Sequence, residues 1–139
     1  MIKKGTIMGY RSDVKYVILF KTQDHRNAFH LEAKLVASEV QYGLEVINDF
    51  DFHYDEHDVD FPYQIRVHYE DVKWYESTPW VDMQEKLMKL ARDGYEGAFV
   101  FLRLGEEDDD IEEQSGVHDD NIHVYVDNYI ELTRRSNFT

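Results

Sequence analysis

The stretch Phe61–Gly94 reads FPYQIRVHYEDVKWYESTPWVDMQEKLMKLARDG, and its hydrophobic repeat changes from two residues to about 3.6 along its length. In its first half every second side chain is apolar or aromatic, which is typical of a half-buried strand. We expect one face of this strand to contact the core and the other to face away. The predicted core face carries Tyr63, Ile65, Val67 and Tyr69, and the opposite face carries Gln64, Arg66, His68 and Glu70.

The second half of this stretch predicts an amphipathic helix that begins at Pro79. Thr78 is a suitable cap, and proline at the first helical position gives up no N–H that the helix needs. Gly94 is predicted to end the helix in the left-handed conformation, which glycine adopts without strain. The predicted core face of this helix carries Trp80, Met83, Leu87, Leu90 and Ala91.

Further strands are indicated on both sides of this stretch. Val14–Lys21, Ala98–Leu104 and Ile122–Leu132 have the short, apolar, alternating pattern of strands. Another strand is predicted to begin within Leu44–Asp51, and the segment Phe61–Tyr75 is predicted to pair antiparallel with it. The charged residues 53–60 would form the turn between these two strands, and residues 105–120 would form a solvated loop.

A second amphipathic helix is predicted over Arg26–Gln41, with a cap within Thr22–Asp24 and a stop at Gly43. Its apolar residues fall on a wide face of the helix, so we expect that whole face to contact the core. The residues concerned are Phe29, Ala33, Val36 and Val40, widened by Ala28, Leu31 and Leu35.

The predicted order is β-α-β-β-α-β with one further strand, which indicates an α+β fold of the ferredoxin-like type. Such a fold has an antiparallel sheet with two helices on one face, and here an additional C-terminal strand. We expect a single domain over residues 1–139, with residues 1–8 as a loose extension and residues 133–139 as a polar tail. The side chains predicted to be buried are Phe20, Leu35, Val67, Leu87 and Phe101.

The charge of the chain is strongly acidic, since 29 Asp and Glu against 15 Lys and Arg leave a net charge of −14. Residues 1–48 carry +2 (7 − 5) and residues 49–139 carry −16 (8 − 24). Such a field repels nucleic acid and anionic membranes and attracts basic proteins. The alternative explanation is that the charge serves only solubility or belongs to a halophilic surface. The chain contains no cysteine, which excludes disulfides, thiolate zinc sites and a cysteine nucleophile.

The acidic residues concentrate in two segments, with six in residues 49–60 and nine in residues 105–120. We expect both segments to meet a basic partner, which requires them to converge on one face of the fold. The predicted partner-binding carboxylates are Asp55, Asp58, Glu106, Glu107, Asp108, Asp109, Asp110, Glu112 and Glu113.

His53 and His57 stand among these acids, and histidine with carboxylates is the composition of a divalent-metal site. A spacing of four residues brings two histidines together on a helix but not in a strand and turn. A solvated acidic turn is therefore the alternative interpretation, and we expect no bound metal or other cofactor.

Three side chains near the predicted strand ends have two interpretations each. Trp74 and Tyr75 lie next to the turn before the second helix, where they either close the core or form an aromatic patch for a partner. Arg103 is either an outward strand residue or an internal ion-pair partner for the acidic loop.

Three motifs lie in order along the chain: Met8–Val14 (MGYRSDV), Glu70–Tyr75 (EDVKWY) and Leu104–Glu112, which contains LGEE and DDIE. Together they resemble a family of small, uncharacterised proteins of tailed phages and prophages, although this chain starts seven residues before Met8. The resemblance implies a phage accessory protein that acts in the cytoplasm of the host cell. It implies no catalytic residue.

We therefore expect a binding protein rather than an enzyme. Its expected partner is a basic host protein, such as a nucleic-acid-binding or defence protein, which it would inhibit by imitating nucleic acid charge. One alternative is an accessory or assembly protein that binds another viral protein through an exposed sheet edge or the aromatic turn. The other is a small metal-dependent enzyme that uses His53 and His57. The sequence is also compatible with a homo-oligomer.

Overall fold

The computed structural model describes residues 9–131, so the predicted N-terminal extension 1–8, the polar tail 133–139 and Leu132 lie outside the described part. Within it the chain forms five strands and four helices. In chain order these are β1 (Ser12–Phe20), α1 (Gln23–Ala37), α2 (Gly43–Asn48), β2 (Asp51–Tyr54), β3 (Tyr63–Val72), α3 (Pro79–Gly94), β4 (Ala98–Gly105), β5 (Ile111–Val117) and α4 (Val126–Tyr129).

The strands form one antiparallel sheet in the order β2-β3-β1-β4-β5. The predicted α+β class is therefore confirmed, and so is the antiparallel pairing of β2 with β3. The five-strand order is not that of the predicted ferredoxin-like sheet, because the fifth strand comes from the acidic segment. β1 lies at the centre, where it pairs with β3 on one side and with β4 on the other.

Both faces of the central strands are buried, but by different parts of the chain. On one face, alternate residues of β1, β3 and β4 pack against α1, α2 and α3. On the other face, Val17 and Leu19 of β1 and the intervening residues of β4 pack against Phe61, Val124 and Ile130. Residues 122–131 thus form a third layer, which explains why β1 and β4 are apolar on both faces.

Two predictions for the C-terminal third are wrong. Residues 111–117, predicted as loop, form the edge strand β5, because pairing with the buried strand β4 satisfies their backbone without any apolar alternation. Residues 122–131, predicted as a strand, are irregular apart from the single turn of α4. Their apolar alternation arises because Val124 and Ile130 lie against the second face of the sheet.

Predictions around the first helix need three corrections. Gly43 starts α2 rather than only ending α1, and the strand predicted within Leu44–Asp51 is mostly helix, so that β2 begins at Asp51. A side chain on Gly43 would collide with the carbonyl of Ala37, so glycine permits the close approach of α2 to α1. Three residues predicted to widen the core face of α1 are exposed instead: Ala28, Leu31 and Leu35.

α3 starts at Pro79 as predicted, whereas α1 starts at Gln23 and ends at Ala37, three and four residues before the predicted Arg26 and Gln41. Thr22 caps α1 by accepting a hydrogen bond from the His25 N–H, and Pro79 occupies the first position of α3. Gly94 is the last helical residue of α3, and the left-handed conformation predicted for it belongs to Glu96. Gln64 was predicted to face away from the core, but its side chain is fully buried beneath the turn that precedes β3.

Four of the five side chains predicted to be buried are in the core, namely Phe20, Val67, Leu87 and Phe101, whereas Leu35 is 72% exposed. Replacing Leu87 with alanine is therefore expected to lower the free energy of unfolding by about 2–5 kcal/mol, since it removes a filled core position. Replacing Leu35 with alanine is the matched control and is expected to stay within about 0.5 kcal/mol. Urea unfolding measures both, and equal losses would contradict this assignment of the helix faces.

Candidate partner-binding surface

The connection from β4 to β5 is a tight turn that presents four successive carboxylates, Glu106, Glu107, Asp108 and Asp109, which we call the acidic turn. Its ends are joined by a backbone hydrogen bond of 2.8 Å from the Gly105 N–H to the Asp110 carbonyl. A further bond of 3.1 Å runs from the Asp110 N–H to the Glu107 carbonyl. The acidic turn is therefore a defined structure rather than the solvated loop that its composition predicts.

Arg103 of β4 anchors the acidic turn through the two carboxylates that follow it. Its side chain, only 1% exposed, donates to Asp110 at 2.6 and 3.1 Å, to Glu112 at 3.0 Å and to Ser12 Oγ at 3.1 Å. Burial alone would lower the pKa of Arg103, but the hydrogen bonds to Asp110 and Glu112 outweigh it, and the pKa is raised. The ion-pair interpretation of Arg103 is confirmed.

Tyr10 and Arg11 tie the same turn to the start of β1. The Tyr10 hydroxyl donates to Asp110 Oδ2 and accepts from the Glu106 N–H at 3.1 Å, and the Arg11 N–H donates to Glu106 Oε2 at 2.6 Å. Burial and the hydrogen bond to Asp110 raise the pKa of Tyr10. A side chain at Gly105 would displace the Tyr10 hydroxyl and the Asp110 carboxylate, so glycine permits this bond between them.

The structure divides the predicted carboxylates of this region into two groups. Asp110 and Glu112 are half-buried and hold Arg103, so their charges are already used inside the protein. The carboxylates that face solvent and carry charge to the surface are Glu106, Glu107, Asp108, Asp109 and Glu113. The surface available to a partner is therefore smaller than the sequence predicts, and it is held in place by the buried group.

The other acidic segment lies at the opposite end of the sheet. Tyr63 pairs with Phe20 at the end of β1, whereas Gly105 pairs with Ser12 at its beginning. The nine residues of β1 span these ends, a distance of about 26 Å. Residues 49–60 therefore do not converge with the acidic turn. The other end of the 105–120 segment does lie at their end of the sheet, where Asp119 Oδ2 is 3.9 Å from Lys21 Nζ.

Asp55 and Asp58 also have structural roles in the turn between β2 and β3. Asp55 accepts from the His57 N–H at 3.0 Å, and Asp58 accepts from the Phe61 N–H at 2.9 Å. Asp58 further accepts from the Tyr129 hydroxyl at 2.7 Å, which ties this turn to the third layer. Burial of the Tyr129 hydroxyl and its bond to Asp58 raise the pKa of Tyr129.

Trp74 is a core residue, only 2% exposed, in contact with the rings of Tyr69, Trp80 and Phe101. Tyr75 is half-buried, and its hydroxyl accepts from the Gly9 N–H at 3.1 Å. Trp74 therefore closes the core, which is the first of its two interpretations, and it cannot contact a partner from this position.

His53 and His57 are not brought together. His53 lies in β2 and is half-buried, whereas the side chain of His57 projects from the following turn into solvent. Among residues 9–131, no three His, Cys, Asp or Glu side chains are grouped so that they could hold a metal ion.

Replacing both histidines with alanine is expected to leave the free energy of unfolding within about 1 kcal/mol of the parent, because neither side chain fills the core. Thermal unfolding with and without added Mg²⁺, Mn²⁺ or Zn²⁺ measures this. A rise in the melting temperature of the parent that disappears in the double variant would reveal a metal site and contradict the assignment.

An aromatic cluster along β2 was not predicted as a site. Phe52 and Tyr54 are 43% and 56% exposed, and the guanidinium of Arg26 on α1 lies 5.3 Å from the Phe52 ring and 5.2 Å from the Tyr63 ring. Arg26 donates to the carbonyls of His53 at 3.0 Å and Gln64 at 3.2 Å. The only signal in the sequence was the alternation of Phe52 and Tyr54 with His53, which the surrounding acids obscure.

No helix in the described part of the chain has the length and apolar character needed to cross a membrane. Comparison of the chain with protein-family models, with curated proteins and with solved structures finds no match.

Proposed function

We propose that this chain is a binding protein that engages a basic partner through the acidic turn. The observation that carries the proposal is that four successive exposed carboxylates are held by a buried arginine and a tyrosine at their base. A turn that is fixed before binding loses little conformational entropy when a partner binds, so little of the favourable electrostatic energy is offset by ordering. Acids serving only solubility would not need such anchoring.

The partner that fits this surface is a protein with a basic groove, such as one that binds nucleic acid. Carboxylates at successive positions offer negative charge to lysine and arginine side chains without a cleavable phosphodiester backbone. By occupying such a groove the chain would inhibit its partner. The net charge of −14 would also speed the encounter by long-range attraction.

The setting we propose is phage infection, with the chain acting on a host protein in the host cytoplasm. The support is the resemblance of Met8–Val14, Glu70–Tyr75 and Leu104–Glu112 to small proteins of tailed phages and prophages. In the fold, Tyr10 and Arg11 of the first motif contact Glu106 and Asp110 of the third. Two of the motifs that carry the resemblance therefore build the surface on which the proposal rests.

We further propose to describe β1 to β4 with α1 and α3 as a ferredoxin-like unit that β5 extends. The support is that β1 lies between β3 and β4 and that both helices pack on the same face of the sheet.

Affinity capture from a bacterial lysate tests the proposal when it is combined with competition by duplex DNA. We expect the immobilised chain to retain basic proteins at low salt and to release them when excess DNA or salt is added, since both compete for the same cationic groove. A chain with Asp108 and Asp109 replaced by lysine is expected to retain much less. Retention that resists DNA and survives this replacement would contradict the proposal.

A second candidate function is that of an accessory protein that binds another viral protein. The observation that favours it is the exposed aromatic edge at β2, where Phe52 and Tyr54 lie on the strand that ends the sheet formed by the described residues. The buried Trp74 gives this candidate no support.

A further inference from the structure

We propose that the outer edge of β2 is a docking site for an extended basic segment of a partner protein, which pairs with β2 as an additional strand. This inference deepens the second candidate function by naming the chemistry of the partner. It does not depend on the acidic turn, which lies at the other end of the sheet.

Among residues 9–131, no group bonds the outward N–H and C=O groups of β2. The Asp55 N–H donates to the Pro62 carbonyl at 2.8 Å, which places Asp55 and Pro62 in a hydrogen-bonded pair. Because such pairs alternate along an antiparallel ladder, His53 and Gln64 form the next one. The N–H and C=O groups of Phe52 and Tyr54 therefore point away from β3, toward the open edge.

The same alternation is seen across the sheet, which supports this assignment. The Gly105 N–H bonds the Asp110 carbonyl at one end of the β4–β5 ladder, and the His118 N–H bonds the Gly97 carbonyl at 3.0 Å at the other end. Both bonds fit the alternating register of that ladder, in which Ser115 points outward.

The side chains on this edge are suited to a protein interface. Phe52 and Tyr54 are half-exposed, and neighbouring rings fix their positions. The ring centroids of His30 and Phe52 are 4.9 Å apart, and those of Tyr63 and Tyr54 are 5.0 Å apart. Arg26 lies against Phe52 and bonds the His53 carbonyl, which holds β2 against α1. Aromatic side chains held in this way lose little entropy on binding and often dominate interface energies.

Charge decides which occupant fits. Residues 49–60 carry six Asp and Glu and no Lys or Arg, so they favour a strand rich in lysine and arginine. A second copy of this chain would set these acids against each other in a β2–β2 pair, where like charges destabilise. An uncharged or acidic strand would find no such complement.

The opposite edge of the sheet offers a poorer site. β5 is longer than β2, but its sequence IEEQSGV places Glu113 and Ser115 where β2 has its two aromatic residues. A basic strand would find negative charge at β5 but no aromatic side chain to pack against. We therefore expect a basic strand to select β2.

Amide hydrogen exchange of the full chain tests this inference residue by residue. The probe is a short blocked peptide in which lysine and valine alternate, and the charge control is spermine, which lacks peptide groups. At a peptide concentration near 100 times Kd, exchange of the Phe52 and Tyr54 amides is expected to slow by about 100-fold. Spermine is expected to leave both rates unchanged.

Two variants separate backbone pairing from side-chain contact. Phe52→Ala keeps the outward N–H and loses the ring, whereas Phe52→Pro loses both, and we expect the affinity for the peptide to fall about tenfold further in the second. Proline is tolerated where an edge N–H faces solvent, so the sheet should persist. Ser115→Pro on β5 is the matched control and is expected to bind as the parent does.

Several results would overturn the inference. One is an absence of slowed exchange at Phe52 and Tyr54, and another is slowed exchange at residues 113 and 115 instead. A third is exchange at Phe52 and Tyr54 that slows with protein concentration alone, since that would assign the edge to a second copy. Replacement of Asp108 and Asp109 by lysine leaves peptide pairing at β2 in place, so a failure of this inference is distinct from a failure at the acidic turn.

Discussion

Replacing Arg103 with alanine is expected to lower the free energy of unfolding by about 3–5 kcal/mol, because it leaves two half-buried carboxylates without their cation. Arg103 is the only ionised side chain in the described part that is 1% exposed and bonded to two acids. Its loss also removes the bond to Ser12 and a large, fully buried side chain. Chemical denaturation followed by circular dichroism measures the effect.

A second substitution shows whether this loss is electrostatic. Asp110→Asn in the Arg103→Ala background removes one uncompensated charge, so it is expected to restore part of the lost free energy, whereas Asp110→Asn in the parent is expected to destabilise. Strictly additive losses would show that Arg103 acts by packing alone. A loss below about 1 kcal/mol for Arg103→Ala would contradict the anchoring role.

Replacing Trp74 with alanine is expected to cost about 3–5 kcal/mol, the range for large aromatic side chains removed from a core. Its ring lies 5.4 Å from Trp80 and 5.9 Å from Phe101, between α3 and the sheet. Unfolding in denaturant measures the loss, and the near-ultraviolet circular dichroism of the remaining Trp80 reports whether its surroundings loosen.

Tyr125→Ala is the matched control for Trp74→Ala, since Tyr125 is an aromatic residue that is mostly exposed. We expect this control to stay within about 0.5 kcal/mol of the parent. If Trp74→Ala lowers the free energy of unfolding no more than this control does, Trp74 lies on the surface and is available to a partner.

The central elements of the fold were predictable because their burial follows directly from periodicity. β1 and β4 are apolar on both faces, since helices cover one face and residues 122–131 cover the other. α3 shows its apolar face clearly, and Met83, Leu87 and Ala91 are buried as predicted. In α1 the predicted face was too wide, because Leu31 and Leu35 are apolar but point to solvent.

The acidic C-terminal third was not predictable from local pattern. Strand formation in residues 111–117 depends on pairing with β4 and on Arg103, which lies eight positions before Ile111 and draws in Asp110 and Glu112. Propensity cannot report such a contact, because edge-strand residues take their stability from the neighbouring strand. The same dependence hid the anchored geometry of the acidic turn.

The candidate surfaces were also predictable only in part. Arg103 was identified as an ion-pair candidate because a cation in an apolar strand needs a partner. The separation of residues 49–60 from the acidic turn was not predictable, since it depends on which ends of the strands each turn connects. The cluster of Arg26, Phe52 and Tyr54 joins α1 to β2 across residues distant in sequence, and no local period marks it.

The rate at which the chain associates with a captured partner tests the central claim most directly. Two variants are compared at low and high ionic strength: Asp108→Lys with Asp109→Lys, and Glu39→Lys with Glu45→Lys on exposed positions near α1 and α2. Each changes the net charge from −14 to −10, so they differ only in where the charge changes (two substitutions of +2 each). We expect the first variant to associate about tenfold more slowly at low salt with a flatter salt dependence, and the second to stay near the parent. Equal rates for the two variants would show that the acidic turn has no specific part in binding, and would contradict the account.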